Sequence, residues 1–524
     1  MKKLFNKENL LTLIFVLVAL HPIYELDWCL NGVVGPNVPI RVSTIVNFII
    51  FPLLVILVFV LFEKNKKKIL IGFGIYVIIF GIYFVFHLLS ARTLIEDIHL
   101  SYTFLYYPKD EIVYTITVLL PLIYVYVFNF ADIKEKVIEN ISLITSLLIS
   151  LPIVISNILG IGLTTYRDEL RGTIFDWFKL PFDSKEFHPR RYATLFYFKE
   201  GNTIGILLLM FLVLQYFFLI KEKNIKKKIL LVISIFLSSI SMLIVGTRVA
   251  TYGAIIVPII VFVSYLIFLI IKKEALSKLY IIVTVIMVII NSLILPYSPA
   301  YQNQLFDASD YSTLKLEDSY RAGKRRAILN GAEGFEPFSA AWVDYYVYVF
   351  DEYKFLANVT PSIYYEYYYD YHVDPKFWVD LVFDYELEER INARQVETIF
   401  YQYKWDNYMT FYQKLFGYTF GIFMRGGINI ERDFIQQFYS YGYLGFPLVM
   451  GPWFVLFGYV IYLFIKKLIE KKITLYELCV LFAIALGVGS GIISGHTFDE
   501  LSTSMIIALL SVLSIKQLKG ANNE

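Results

Sequence analysis

Arginine side chains recur in four short clusters whose chemistry suits an anionic substrate. The clusters are His188–Thr194 with Arg190 and Arg191, Gly246–Arg248, Arg321–Arg326 with Arg325, and Glu431–Asp433. A planar guanidinium group binds phosphate or carboxylate through two parallel hydrogen bonds, and it does so better than the ammonium group of lysine. The clusters therefore predict sites for a phosphate or a carboxylate, although any single arginine could instead form a salt bridge within its loop.

Two residues could take a proton from a substrate hydroxyl. Glu431 precedes the tenth apolar run of the chain, and His496 lies between the last two. We predict Glu431 as the general base, with His496 as its competitor. Each has a structural alternative, because Glu431 could favour the positive end of a helix and His496 could be a hydrogen-bonded helix cap.

The elements that must position these residues are membrane helices. Of 524 residues, 57% are hydrophobic and only 18% are charged, whereas soluble chains carry about 25% charged residues. A bilayer core requires about 20 apolar residues per helix. The sequence predicts an all-α polytopic membrane protein with twelve spans: 10–24, 43–62, 69–89, 112–130, 140–160, 203–220, 229–245, 250–271, 279–296, 441–465, 474–494 and 500–515.

Basic residues in the connections predict the orientation, because lysine and arginine concentrate in cytoplasmic loops. With both termini in the cytoplasm, the inner segments hold 23 lysines and no arginine, and all fourteen arginines are on the outer side. No small-residue cleavage site follows the first apolar run, so we interpret it as a retained helix rather than a signal peptide.

Three regions follow from this topology. They are a membrane region 1–296 with spans one to nine and the outer loop 161–202, a large outer loop 297–440, and a membrane region 441–524 with spans ten to twelve. The large loop holds 21 of the 42 tyrosines and has a net charge of −8. Aromatic faces beside carboxylates suit a sugar, although tyrosine also collects at the membrane interface.

Several functional classes are disfavoured. The net charge of +2 gives no electrostatic reason to expect nucleic acid. Two distant cysteines and the absence of a zinc spacing or a glycine-rich phosphate loop predict neither a metal nor another cofactor. A flippase would need charges along its spans, and these spans contain almost none.

At these clusters the chain resembles the O-antigen ligase and O-antigen polymerase superfamily of bacterial membrane glycosyltransferases. The shared features are an arginine before an Asn-containing helix start (Arg190 or Arg191 with Asn202), Thr247-Arg248 at a later helix start, and a late loop arginine (Arg321, Arg325 or Arg326). The ligase motif His-Asn-x9-Gly-x-x-Gly is replaced by Glu431-Arg432-x9-Gly442-x-x-Gly445. The missing histidine favours a polymerase over a ligase.

The resemblance implies a metal-independent, inverting glycosyltransferase of the bacterial cytoplasmic membrane, with its site facing outward. Its donor would be a glycan on undecaprenyl diphosphate, and its acceptor a sugar hydroxyl on a second lipid-linked repeat unit. The arginine set Arg190, Arg191, Arg248, Arg321, Arg325 and Arg326 would then hold the diphosphate. A flippase and a chain-length regulator are expected partners. A ligase acting on a terminal acceptor and a transporter of the lipid-linked unit are the alternatives.

Overall fold

The structure of the protein is a computed structural model. It describes residues 6–30, 40–97, 108–165, 170–174, 192–272, 276–304, 330–337, 339–354, 369–390, 393–420 and 430–520, with the single positions 315, 324 and 328. Arg190, Arg191, Arg321, Arg325 and Arg326 lie outside the described residues.

The regular secondary structure of the described residues is helical, apart from one two-stranded hairpin and one isolated β-bridge between Thr164 and Thr194. Its helices are α1 (Lys7–Ala19), α2 (His21–Tyr24), α3 (Asp27–Leu30), α4 (Val42–Ile45), α5 (Phe51–Phe62), α6 (Lys66–Asp97), α7 (Pro108–Phe128), α8 (Glu135–Leu159), α9 (Gly201–Lys221), α10 (Ile225–Val245), α11 (Arg248–Lys272), α12 (Lys278–Ile294), α13 (Ala340–Tyr353), α14 (Pro375–Asp384), α15 (Leu387–Arg390), α16 (Ala393–Asn407), α17 (Phe411–Phe416), α18 (Asp433–Ile469), α19 (Leu475–Ile493) and α20 (Leu501–Leu518). A π-helical turn, Val46–Ile50, joins α4 to α5, and a 3₁₀ turn, Leu295–Tyr297, follows α12. The strands are β1 (Gly162–Leu163) and β2 (Leu170–Arg171), paired antiparallel.

The predicted spans correspond to these helices. Among the described residues, eleven helical segments are long and apolar enough to cross a membrane, and each overlaps one of the predicted spans. The remaining prediction, 10–24, corresponds to a pair of helical segments, Lys7–Ala19 and His21–Cys29, bent by 55°. The multi-pass membrane class is therefore confirmed, while the sidedness of the loops stays a prediction.

The chain divides into two compact units. Unit 1 comprises Met1–Lys68, Thr117–Phe306 and Trp453–Glu524, and unit 2 comprises Ile69–Ile116 and Asp307–Pro452.

Helix α9 is the centre of unit 1. Nearly its whole length is buried, and it packs against α8, α10, α11, α19 and α20. Its one interior amide, Gln215, donates to the carbonyl of Ser142 at 3.1 Å and to the hydroxyl of Ser234 at 3.0 Å. A helix that is apolar all round, as α9 is, must be enclosed by other helices or by lipid.

Aromatic residues form the core of unit 2. The three loop tryptophans, Trp342, Trp378 and Trp405, are each at most 6% exposed. Six tyrosines of the loop are buried with them: Tyr346, Tyr369, Tyr371, Tyr401, Tyr418 and Tyr439. The sequence suggested a sugar-binding aromatic surface, but these rings pack edge-to-face against one another, an arrangement that buries much apolar area per residue. The cluster 364–368 lies outside the described residues.

A buried polar network lies inside this aromatic core. Asp374 accepts hydrogen bonds from the hydroxyls of Tyr369 at 2.6 Å and Tyr408 at 2.9 Å, and Lys404 lies 3.2 Å from the same carboxylate oxygen. Its other oxygen caps α14 through the backbone N–H of Phe377. Burial lowers the pKa of Lys404 well below its ordinary value. The network connects α14 to α16 within unit 2.

Candidate active site

The turn between α10 and α11 presents Arg248 at the start of a membrane helix. Helix α10 ends at Gly246, whose φ of +70° is rarely adopted by other residues, and a Cβ atom there would lie 2.7 Å from that of Ala193. The Thr247 hydroxyl accepts from the Ala250 N–H at 3.4 Å and so caps α11. Arg248 is exposed. Its charge adds to the positive end of the helix dipole, so this position favours an anion.

The segment that follows Arg190 and Arg191 in the chain is held against this turn. Thr194 donates through its N–H to the carbonyl of Ile244 at 3.3 Å, and Leu195 donates to the carbonyl of Leu163 in β1 at 2.8 Å. The side-chain amide of Asn157 donates to the hydroxyl of Thr194 at 2.6 Å. Residues 192–195 are therefore fixed between the hairpin and the end of α10.

The same hairpin adds a cation that sequence reasoning did not single out. The guanidinium carbon of Arg171, in β2, lies 4.5 Å from the centre of the Tyr192 ring. A cation above an aromatic face is attracted by the ring quadrupole. The two short strands gave no recognisable alternation, so no pattern could have placed Arg171 beside Tyr192.

The first turn of α9 contacts both Thr247 and His496. A Cβ atom at Gly205 would lie 3.1 Å from the Thr247 hydroxyl oxygen, so the two helices approach closely there. The Thr203 hydroxyl donates to the carbonyl of His496 at 3.3 Å. We call Thr203, Thr247, Arg248 and His496 the α9–α11 junction. It joins the predicted Thr247-Arg248 helix start and the backbone of the predicted base His496 to the first turn of α9, although the three segments are far apart in the chain.

A partly buried ion pair that sequence reasoning also missed includes Glu500, four residues after His496 in the chain. The ammonium group of Lys199 lies 2.6 Å from the carboxylate of Glu500. Burial opposes the charge on Lys199, but the carboxylates of Glu500, Glu25 and Asp499 outweigh burial and raise its pKa above the ordinary value. Burial is the largest influence on the Glu500 carboxyl group and outweighs the attraction of Lys199. Together with the nearby carboxylates of Glu25 and Asp499, it raises the pKa of Glu500 to about 7. The partners are 301 residues apart, so spacing could not reveal them.

Glu431 lies in unit 2 and is bound by an arginine of α16. Its Oε2 atom accepts from Nε of Arg394 at 2.6 Å and lies 2.5 Å from Nη2. The backbone N–H of Glu431 donates to Oε2 of Glu397 at 3.4 Å, and Arg432 donates to Gln395 at 3.3 Å. Both side chains of the Arg394–Glu431 pair are about one-third exposed.

Glu397 is a second carboxyl group at this place. It is 4% exposed, and burial together with the nearby charge of Glu431 raises its pKa to about 8 from an ordinary 4.5. The folded protein thus binds this proton more tightly than the unfolded chain. The resulting stabilisation is complete below pH 4.5 and is lost as the pH rises to about 8.

Glu397→Gln is expected to make unit 2 less sensitive to pH. The neutral amide has no charge to bury, so the loss of stability between pH 5 and pH 8, about 1.4 kcal/mol for each unit of pKa shift, should shrink. The measurement is the thermal unfolding midpoint at both pH values, followed by tryptophan fluorescence. Glu352→Gln, at an exposed glutamate, is the control. Equal pH sensitivity in Glu397→Gln and wild type would contradict the assignment.

The glycines of the predicted Gly442-x-x-Gly445 motif shape a kink in α18. Gly442 has a φ of +67° inside the helix, and a Cβ atom there would lie 2.5 Å from the backbone nitrogen of Gly417. Gly445 packs directly against the Tyr83 ring, whose hydroxyl donates to the carbonyl of Tyr441 at 2.7 Å. The motif therefore has a packing role in unit 2.

A protein-family model described as an O-antigen ligase like membrane protein matches residues 6–520. The chain belongs to this O-antigen ligase-like family. Membership indicates a glycan-processing membrane enzyme of the glycosyltransferase type, and it confirms the superfamily predicted from the sequence. No match to the chain was found among curated proteins or among solved structures.

In this O-antigen ligase-like chain the predicted site residues fall into three groups. The Thr247-Arg248 helix start and the backbone of His496 both lie against the first turn of α9 in unit 1, and Glu431 lies in unit 2 with Arg394. The predicted diphosphate ligands Arg190, Arg191, Arg321, Arg325 and Arg326 lie outside the described residues. Across the part of the chain that the structure describes, no group of three or more His, Cys, Asp or Glu side chains could hold a metal ion.

Proposed function

We propose that the protein polymerises lipid-linked oligosaccharide repeat units of a bacterial surface polysaccharide such as O-antigen, capsule or exopolysaccharide. The growing glycan leaves undecaprenyl diphosphate and joins a sugar hydroxyl of the next repeat unit. The observation that carries this proposal is the α9–α11 junction, where the first turn of α9 lies against both the helix start at Thr247-Arg248 and the backbone of His496. The family match supports glycan transfer in general.

The proposed reaction has one bond-forming step. The acceptor hydroxyl attacks the anomeric carbon of the donor sugar from the side opposite the diphosphate, a base takes the hydroxyl proton, and the carbon–oxygen bond to diphosphate breaks. Negative charge then develops on the departing diphosphate. Arg248 is proposed to neutralise this charge, together with Arg190 or Arg191 and one of Arg321, Arg325 and Arg326. Preorganised cations act most strongly where charge develops in the transition state.

The proposed location is the cytoplasmic membrane, with the junction facing outward. The distribution of charge supports this orientation, because the predicted inner segments hold 23 lysines and basic residues concentrate in cytoplasmic connections. The donor tail would lie in the bilayer. A flippase that delivers the repeat units and a regulator of chain length are the expected protein partners.

The pattern of products tests the proposal. Purified protein in detergent, given only lipid-diphosphate-linked repeat units, is expected to form a ladder of products that differ by one repeat unit. A ligase would give a single transfer product and only after a terminal acceptor is added. A transporter would give no covalent product in detergent. A single product or none would contradict polymerisation.

A further inference from the structure

The connection between α19 and α20 holds His496 in an uncommon backbone conformation. Its φ is +60°, in the left-handed region that residues other than glycine seldom adopt. Such conformations persist where the surrounding structure enforces them, and they concentrate at functional sites.

Two helices enforce this conformation. The carbonyl of His496 accepts from the hydroxyl of Thr203, in the first turn of α9, at 3.3 Å, and it lies 3.5 Å from the hydroxyl of Thr503 in α20. The Thr503 hydroxyl also donates to the carbonyl of Thr497 at 2.7 Å. The imidazole is therefore presented from a fixed backbone.

The ring has a carboxylate on one side. Nδ1 of His496 lies 3.1 Å from Oδ2 of Asp499, whose side chain is 10% exposed, while the His496 side chain is 27% exposed. A carboxylate at Nδ1 keeps the proton on that nitrogen, so Nε2 carries the lone pair. Partial exposure gives a substrate access to the ring.

Asp499 faces the ring, and the charged groups near Asp499 come from adjoining segments. Glu500 belongs to the same connection, Lys199 precedes α9 and interacts with Asp499 and Glu500, and Glu25, which follows α2, interacts with Lys199. Lys199 binds Glu500, which leaves Asp499 as the carboxylate that faces the imidazole. An imidazolium formed at His496 would therefore be stabilised by Asp499.

The rival base has a different partner. The Oε2 atom of Glu431 is within 2.6 Å of two guanidinium nitrogens of Arg394. Such a contact satisfies this carboxylate oxygen and connects the start of α18 to α16. Glu431 thus has a structural task in unit 2 that His496 does not share.

We propose that His496 is the general base of the transfer reaction and that Asp499 is the positioning residue that orients its imidazole. This inference rests on the proposed function and deepens it. As the acceptor oxygen bonds to the anomeric carbon, its proton passes to Nε2, and the electrons of the broken carbon–oxygen bond leave with the diphosphate. The imidazolium then returns the proton to water.

The decisive experiment measures kcat and KM for ladder formation by the full-length protein between pH 5.5 and pH 9. His496→Asn keeps a residue that tolerates positive φ and is expected to lower kcat by about 10²–10⁴. Asp499→Asn is expected to lower kcat at least tenfold with KM unchanged, and to move the acidic midpoint of the kcat profile to lower pH. The shift follows because the imidazolium loses its carboxylate.

Two further variants test whether a glutamate, rather than His496, sets the acidic midpoint of the kcat profile. Glu500→Gln and Glu431→Gln are expected to leave that acidic midpoint in place. A midpoint that disappears in either variant, or a His496→Asn enzyme within threefold of wild type, would overturn the proposal. An unchanged pH profile in Asp499→Asn would do the same. Size-exclusion chromatography and the unfolding midpoint of each variant establish that the variant is folded.

A measurement without substrate keeps the inference separate from the proposed function. NMR of protein labelled at histidine, with His496→Asn to assign the signal, is expected to show neutral His496 with its proton on Nδ1 in wild type. The acid titration of that signal should move to lower pH in Asp499→Asn. A proton on Nε2, or an unmoved titration, would refute the orienting role. If the wild-type protein makes no ladder but the NMR signals behave as expected, the polymerase assignment fails and the orienting role of Asp499 at His496 is retained.

Discussion

Arg248→Ala is expected to lower the rate of ladder formation by about 10²–10³, equivalent to about 3–4 kcal/mol of barrier. Arg248 is the first residue of α11 and is exposed beside the segment that follows Arg190 and Arg191. A cation there would stabilise the diphosphate more as it leaves than while it is bonded to sugar. The loss should therefore appear in kcat, measured from single-turnover product formation on gels.

Matched variants show whether charge or shape matters at this position. Arg248→Lys retains the charge but lacks the planar fork, so an intermediate loss of about tenfold is expected. Arg92→Ala removes an exposed arginine from α6 and should leave the rate unchanged. If Arg248→Ala forms a ladder at near wild-type rate while remaining folded, Arg248 does not bind the diphosphate.

Asp374→Ala is expected to destabilise unit 2 by about 3–5 kcal/mol, because it leaves a buried charge and buried hydroxyls without their partner. The carboxylate accepts from Tyr369, Tyr408 and the Phe377 N–H, and it faces Lys404, which is fully buried. Urea titration of the detergent-solubilised protein, followed by tryptophan fluorescence, measures the change. Trp378 is a suitable reporter, since its indole N–H donates to the Tyr369 carbonyl at 3.0 Å.

The double variant Asp374→Ala/Lys404→Met distinguishes a buried charge from a general packing defect. Replacing both partners by apolar residues removes the unpaired ammonium group, so part of the stability should return. Glu352→Ala, at an exposed glutamate, should change stability by less than about 1 kcal/mol. A double variant less stable than Asp374→Ala would show that Lys404 stabilises the core without Asp374.

The membrane helices could be predicted because the bilayer imposes a local rule. A helix needs about 20 contiguous apolar residues to cross the hydrocarbon core of a bilayer. Helices α9, α10 and α11 are therefore visible in the sequence as uninterrupted apolar runs. Arg248 could be placed for the same reason, since only Gly246 and Thr247 separate it from the end of α10. The resemblance at Thr247-Arg248 depended on adjacent residues and is supported by the family match.

Contacts between distant segments could not be predicted in this way. Sequence analysis favoured Glu431 as the base because this carboxylate lies between an aromatic-rich loop and a membrane span, yet its contact with Arg394 requires α16 to lie beside the start of α18. Glu397 belongs to an ordinary helical pattern, and only its burial beside Glu431 gives its carboxyl group a raised pKa. The tyrosines suggested a sugar-binding surface because composition does not reveal which rings face one another.

The sequence alone therefore determined the class of protein, the membrane helices and the family, because each depends on hydrophobic runs or on short motifs. The tertiary structure decided which chemical groups meet. It brought Thr203 of α9 to the carbonyl of His496, 293 residues away, and Lys199 to Glu500, 301 residues away. Hydrogen bonds and charge interactions act over a few ångströms in space, whatever the separation along the chain, so these contacts became visible only after the helices had packed.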